Sequence, residues 1–125
     1  MLGSDDDPAF TVYVVDVDGA VAGVIQSYEE LDPDYRHAGI DISLAPAFHG
    51  TGVAVDALRT VARHLVDDLG HHRLTIDPAA HNARAIAAYA KVGFQPVGIL
   101  RRYERGADGT WHDGLLMDLL ADDLR

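Results

Sequence analysis

The segment His49-Gly50-Thr51-Gly52 stands between a strand-like run and a helix-like run. In that context glycines let the backbone approach an anion closely, and the exposed N–H groups and the helix dipole then stabilise a phosphate. Taken alone the same glycines serve equally well as a tight turn at a strand end. Just upstream, from Gly39 to Leu44, Ile40, Ile42 and Leu44 alternate with Asp41 and Ser43, so one face is apolar and the other carries the polar groups. The chain has no cysteine, which excludes disulfides, thiolate metal sites and a cysteine nucleophile and leaves oxygen and nitrogen groups to do any chemistry. The seven histidines, at 37, 49, 64, 71, 72, 81 and 112, show no i, i+4 pair of the zinc-protease kind, and no metal is expected.

The elements that must position these groups follow from periodicity. Thr11 to Val17 and Val21 to Tyr28 flank Asp18-Gly19 and read as a β-hairpin. Leu31 to His37, with Pro33 and several charges, reads as a loop, and Gly39 to Leu44 as the next strand. After the glycine turn an amphipathic helix carries Ala54, Leu58, Val61, Leu65 and Leu69 on one stripe and stops at Gly70. Arg73 to Asp77 reads as a buried strand ended by Pro78. Asn82 caps a second helix that runs through Lys91 to Gly93. Val97 to Tyr103 and Trp111 to Leu119 form a closing hairpin around Asp108-Gly109. The order predicts one α/β (α+β) domain over residues 1–125, a mixed sheet with helices packed on it and a strand-helix-strand unit at its centre.

The composition narrows the function. A chain of 125 residues, 48% hydrophobic, can bury one modest core. A net charge of −10 argues against nonspecific nucleic-acid binding and would attract a cationic partner. No apolar run approaches the roughly 20 residues of a bilayer-spanning helix, and Asp5, Asp6 and Asp7 sit where a signal peptide needs a basic and then an apolar stretch. A cytoplasmic protein without a membrane role is expected.

With His49, Gly52 and Ala54 spaced as in the loop pattern Arg/Gln-x-x-Gly-x-Gly/Ala, and with Asn82, Tyr89 and Gly93-Phe94 following, the chain resembles the GNAT superfamily of acyl-CoA-dependent N-acyltransferases from about Phe10 to Leu120. Gly39-Ile40-Asp41, Asp77-Pro78 and Asn82 through Tyr89 look like the bacterial aminoglycoside 6′-N-acetyltransferases. The closing segment, Gly98 to Leu120, also resembles acetyltransferases of ribosomal-protein N-termini or polyamines.

The resemblance implies acetyl-CoA as cosubstrate. Ile42, Ser43 and Leu44 would hold its acetyl and pantetheine portion, and Gly50, Thr51, Gly52, Val53 and Ala54 its diphosphate. Asn82 would contact the cofactor arm. His49 stands where the superfamily usually places Arg or Gln, which lowers the positive charge there and leaves Arg84 to compensate. An ammonium with a pKa of about 10.4 must lose a proton before it attacks. Asp41 is expected to take it, directly or through water, with Asp77 anchoring a second ammonium. A backbone N–H between Ile42 and Leu44, exposed by a local β-bulge, would stabilise the charge that develops on the carbonyl oxygen. Tyr89 would protonate the departing thiolate, and Tyr28, Glu29 and Glu30 would line the acceptor pocket. Trp111 and Tyr103 could touch substrate or stabilise a dimer, but aromatics in terminal strands usually complete a core, and both are left outside the site.

Members of the superfamily begin with a strand and one or two helices, whereas this chain reaches its first hairpin at about Phe10. The expectation is therefore that the first strand and helices are largely missing, and that the open edge of the Phe10 to Val17 strand invites a homodimer. Three readings result. The first is acetylation of a small polycationic amine such as an aminoglycoside, the second is protein N-terminal or polyamine acetylation, and the third is a non-catalytic acyl-CoA-binding domain.

Overall fold

A computed structural model describes residues 9–125. Six strands form one sheet in the order β1-β2-β3-β4-β6-β5. The strands are β1 (Phe10–Val17), β2 (Ala20–Glu30), β3 (His37–Leu44), β4 (Arg73–Ile76), β5 (Gln95–Arg105) and β6 (Trp111–Leu120), with α1 (Val53–Arg63) after β3 and α2 (Ala83–Val92) after β4. All neighbours are antiparallel except β3 and β4, whose parallel pairing requires the crossover through α1. This is the mixed, mainly antiparallel sheet that the sequence predicts.

Register explains the two faces. Ala38 and Ile40 lie beside Leu74 and Ile76, which lie beside Leu119 and Met117. All six are buried, and they form one core with Leu58 and Val61 of α1 and with Tyr89 and Val92 of α2. The alternate residues, Gly39, Asp41, Thr75 and Asp118, share the other face. That face is exposed at Val12, Val14, Tyr28 and Leu120. β1 has β2 as its sheet neighbour and forms the edge of the sheet among the described residues.

Two expectations are corrected. The apolar spacing predicts a stripe through Leu69, but after Arg63 the helix widens over His64–Asp68, where the Leu69 N–H reaches the His64 carbonyl five residues back at 3.1 Å. The added residue per turn rotates Leu69 out of the core, and it is exposed. The β-bulge expected in β3 is not there: β2 and β3 pair without a break from Gly23 and Leu44 to Glu30 and His37. Irregular pairing falls instead at Val15/Asp16 and twice along β5.

Gly93 ends α2 with φ 122, and a Cβ there would stand 2.2 Å from the Asp123 carbonyl oxygen. Gly93→Ala should therefore lower unfolding stability by about 2 kcal/mol or more, combining left-handed strain with a backbone clash. Urea unfolding of the two proteins checks this.

Candidate active site

β4 stops at Ile76, with Pro78 two residues on, while β3 runs four residues past its last pairing with β4. Ala45 N–H donates to the Ala22 carbonyl at 2.8 Å. By antiparallel alternation, Ser43 and Asp41 also bond to β2, whereas Ile42 and Leu44 turn their N–H and C=O away from it. Those groups therefore face the gap beyond the end of β4. The exposed donor expected between Ile42 and Leu44 arises because the neighbouring strand ends, with no bulge needed. The Ile42 N–H is given to the Asp41 carboxylate, and the Leu44 carbonyl lies 3.1 Å from His49 Nε2.

Two clefts meet at this gap. One, of about 510 Å³, lies on the helix-covered side between the β3 end, the glycine turn, the start of α1 and the exposed flank of α2. Ile42, Ser43, Leu44, His49, Gly50, Gly52, Ala54, Asn82, Arg84 and Tyr89, all expected there, line it. Gly50 and Gly52 have φ 75 and 86, and a Cβ on either would meet nothing within 4 Å, so the backbone of the turn fronts open space. Thr51 and Val53 are not in the wall. The Thr51 hydroxyl braces the turn, donating to the Phe48 carbonyl at 2.6 Å and accepting from the Val53 N–H at 3.4 Å. Asn82 caps α2 by accepting from the Ala85 N–H at 3.1 Å.

The second cleft, about 490 Å³, opens on the other side of the gap. Tyr28, Asp41 and Asp77 line it as expected, and Ile42, Asn82 and Tyr89 border both clefts. Glu29 is not part of it: its carboxylate meets Nε2 of the fully buried His71, and register places it on the face opposite Tyr28. Tyr103 and Glu104 do line it, which corrects the reading of Tyr103 as a core aromatic. The Tyr103 hydroxyl donates to Asp77 Oδ2 at 2.8 Å. Its ring sits over Gly114, where a Cβ would stand 2.9 Å from Tyr103 Cδ2. Trp111 is exposed and outside both clefts.

The titrating groups follow from this crowding. Burial raises the pKa of Asp41 above its ordinary 3.8, and the nearby Asp77 and Glu104 raise it further, against the opposing hydrogen bond from Ile42. Burial and the same two aspartates push the Tyr89 phenol up to about 12. The bond to Asp77 pushes Tyr103 to about 12, ahead of its burial. A cation beside Asp41 would therefore favour its charged form, and Tyr89 stays protonated between the clefts.

With this geometry in place, comparison gives the class. The profile of the acetyltransferase (GNAT) family matches residues 2–94. The chain belongs to that family. It is 34% identical over 100 residues to an aminoglycoside N(6′)-acetyltransferase type 1 of Klebsiella pneumoniae, covering 70% of this chain and 49% of the relative. Over 105 residues it is 28% identical to a spermidine N(1)-acetyltransferase of Escherichia coli, covering 84% and 55%. The chain thus spans about half the length of these curated relatives. The crystal structure of a spermidine N-acetyltransferase from Vibrio cholerae in complex with CoA and spermine superposes with a TM-score of 0.82, at 24% identity, over 94% of this chain and 69% of that one. The last likeness confirms the fold.

The raised pKa of Asp41 has a stability consequence. Its folded-state pKa lies above the unfolded value, so the ionised carboxylate costs stability at pH values above the folded pKa. That cost disappears below about 3.8, where both states carry the proton. Asp41→Asn should raise the thermal midpoint of the ligand-free protein at pH 7, and the advantage should vanish in acid. Melts of both proteins across that range check it.

Proposed function

We propose that this chain is an acetyl-CoA-dependent N-acetyltransferase acting on a primary amine of a small polycationic acceptor such as an aminoglycoside. The observation that carries the proposal is the junction of the two clefts at the end of β4: phosphate-suited backbone and Arg84 line one, and Asp41, Asp77 and Glu104 line the other.

The residues of the first cleft fit an acyl-CoA. The start of α1 and the open turn offer N–H groups to a diphosphate. The Leu44 N–H, facing the gap, suits a thioester carbonyl oxygen on which charge develops. When bound, acetyl-CoA supplies the activated acetyl group. On the opposite side Asp77, Glu104 and Asp41 draw an ammonium to the gap, and Asp41 accepts its proton, directly or through one water. Asp41, its pKa raised by partial burial and by Asp77, is a better base for this step than an ordinary carboxylate. Tyr89 Oη, protonated at neutral pH and bordering both clefts, delivers a proton to the departing sulfur.

The aminoglycoside reading leads because the acidic cleft borders the exposed sheet face near Tyr28 and Gln26, which leaves room for a branched, many-charged acceptor. A polyamine is the second reading, favoured by the Tyr28 and Tyr103 rings that flank the carboxylates and suit a slender methylene chain.

Incubation with acetyl-CoA and separate aminoglycosides, polyamines and peptides, read by product mass, tests the proposal. One acetyl group should appear on an aminoglycoside faster than on spermidine. Faster spermidine acetylation would select the second reading, and heat stabilisation by acetyl-CoA without product on any amine would select a binding domain. Asp41→Asn should reduce kcat/KM by about 10²- to 10³-fold with CoA affinity retained, and Tyr89→Phe should reduce kcat by about tenfold or more. Unchanged rates in either variant would remove that residue from its role.

A further inference from the structure

Arg84 occupies an unusual electrostatic position. It is the second residue of α2, a helix whose first turn contains no acidic residue. The positive end of a helix dipole disfavours a cation there. Among the described residues no carboxylate pairs with it, and its guanidinium meets one nitrogen of His49. An uncompensated guanidinium in the wall of a cleft that also holds the start of α1 calls for an anion.

The His49 ring settles its own protonation from its partners. Arg84 NH2 lies 2.9 Å from His49 Nδ1. A guanidinium has no acceptor, so Nδ1 must present its lone pair. His49 Nε2 lies 3.1 Å from the Leu44 carbonyl, which can only accept, so the proton is on Nε2. The ring is a neutral imidazole strung between the end of β3 and the first turn of α2. In this state it brings no positive charge to the cleft.

We propose that His49 is a positioning residue that acts through Arg84: it anchors on the Leu44 carbonyl and holds the guanidinium in the cleft wall, where Arg84 takes a phosphate of the coenzyme. This rests on the acyl-CoA reading of the first cleft. The imidazole and guanidinium make a two-part device in which the charge resides on α2 and the aim comes from the turn. A carboxamide of similar reach performs the same task, since its N–H can donate to Leu44 while its oxygen accepts from Arg84.

Titration calorimetry with CoA on wild type, His49→Ala, His49→Gln, Arg84→Ala and the double alanine variant tests this without recourse to turnover. Both partners are exposed, so thermal midpoints should hold and the losses should be moderate. His49→Ala should weaken CoA about three- to tenfold, and Arg84→Ala about tenfold. The double variant should bind like Arg84→Ala, and His49→Gln should stay within about twofold of wild type. Multiplying losses in the double variant, or a His49→Gln protein as weak as His49→Ala, would overturn the positioning role while leaving the acyl-CoA reading intact. A wild-type protein that takes up no CoA would overturn both.

Discussion

The site depends on one shortfall in hydrogen bonding: β4 ends at Ile76 while β3 continues to Leu44. An interior strand normally spends its backbone groups on two neighbours. Here Ile42 and Leu44 keep a side without a strand, and the space beside them runs from one face of the sheet to the other. The parallel pairing that creates this geometry exists because α1 carries the chain back across the sheet. The same crossover delivers the start of α1 to the mouth of the gap. Topology thus supplies the amides and the opening together, before any side chain is chosen.

The side chains then divide the charge. On the helix-covered side the described wall contains Arg84 and Lys91 and no carboxylate, while on the other side Asp41, Asp77 and Glu104 stand without Lys or Arg. An anionic donor and a cationic acceptor would each find their own entrance and meet at Tyr89. The arrangement carries a cost. Asp41 is pressed toward its neutral form by burial and by its acidic neighbours, a strain relieved when a cation arrives.

Much of this was legible from sequence because the informative residues act locally. Gly50 and Gly52 break a strand just before an amphipathic run, Asn82 and Gly93 bracket α2, and alternation alone puts Asp41 on the polar face of β3. What escaped depends on register between distant segments. Tyr103 reaches Asp77 because β5 pairs irregularly with β6 between Leu100 and Glu104, Arg102 takes φ 48, and Gly114 leaves room for the ring. None of these is a period in one segment. Glu29 failed for a related reason, since adjacent residues of a strand face opposite ways and its partner, His71, lies 42 positions on. Lys91 was within reach: Arg84, Ala88 and Lys91 follow helical spacing and share the cleft wall.

In the proposed function, backbone amides at the open end of β3 and at the start of α1 hold the coenzyme. Amide chemical shifts followed by NMR during titration with CoA measure this directly. The account predicts that the largest changes fall on Leu44, Gly50, Gly52, Val53 and Ala54. Shifts confined to other segments, or none at saturating CoA on folded protein, would contradict it.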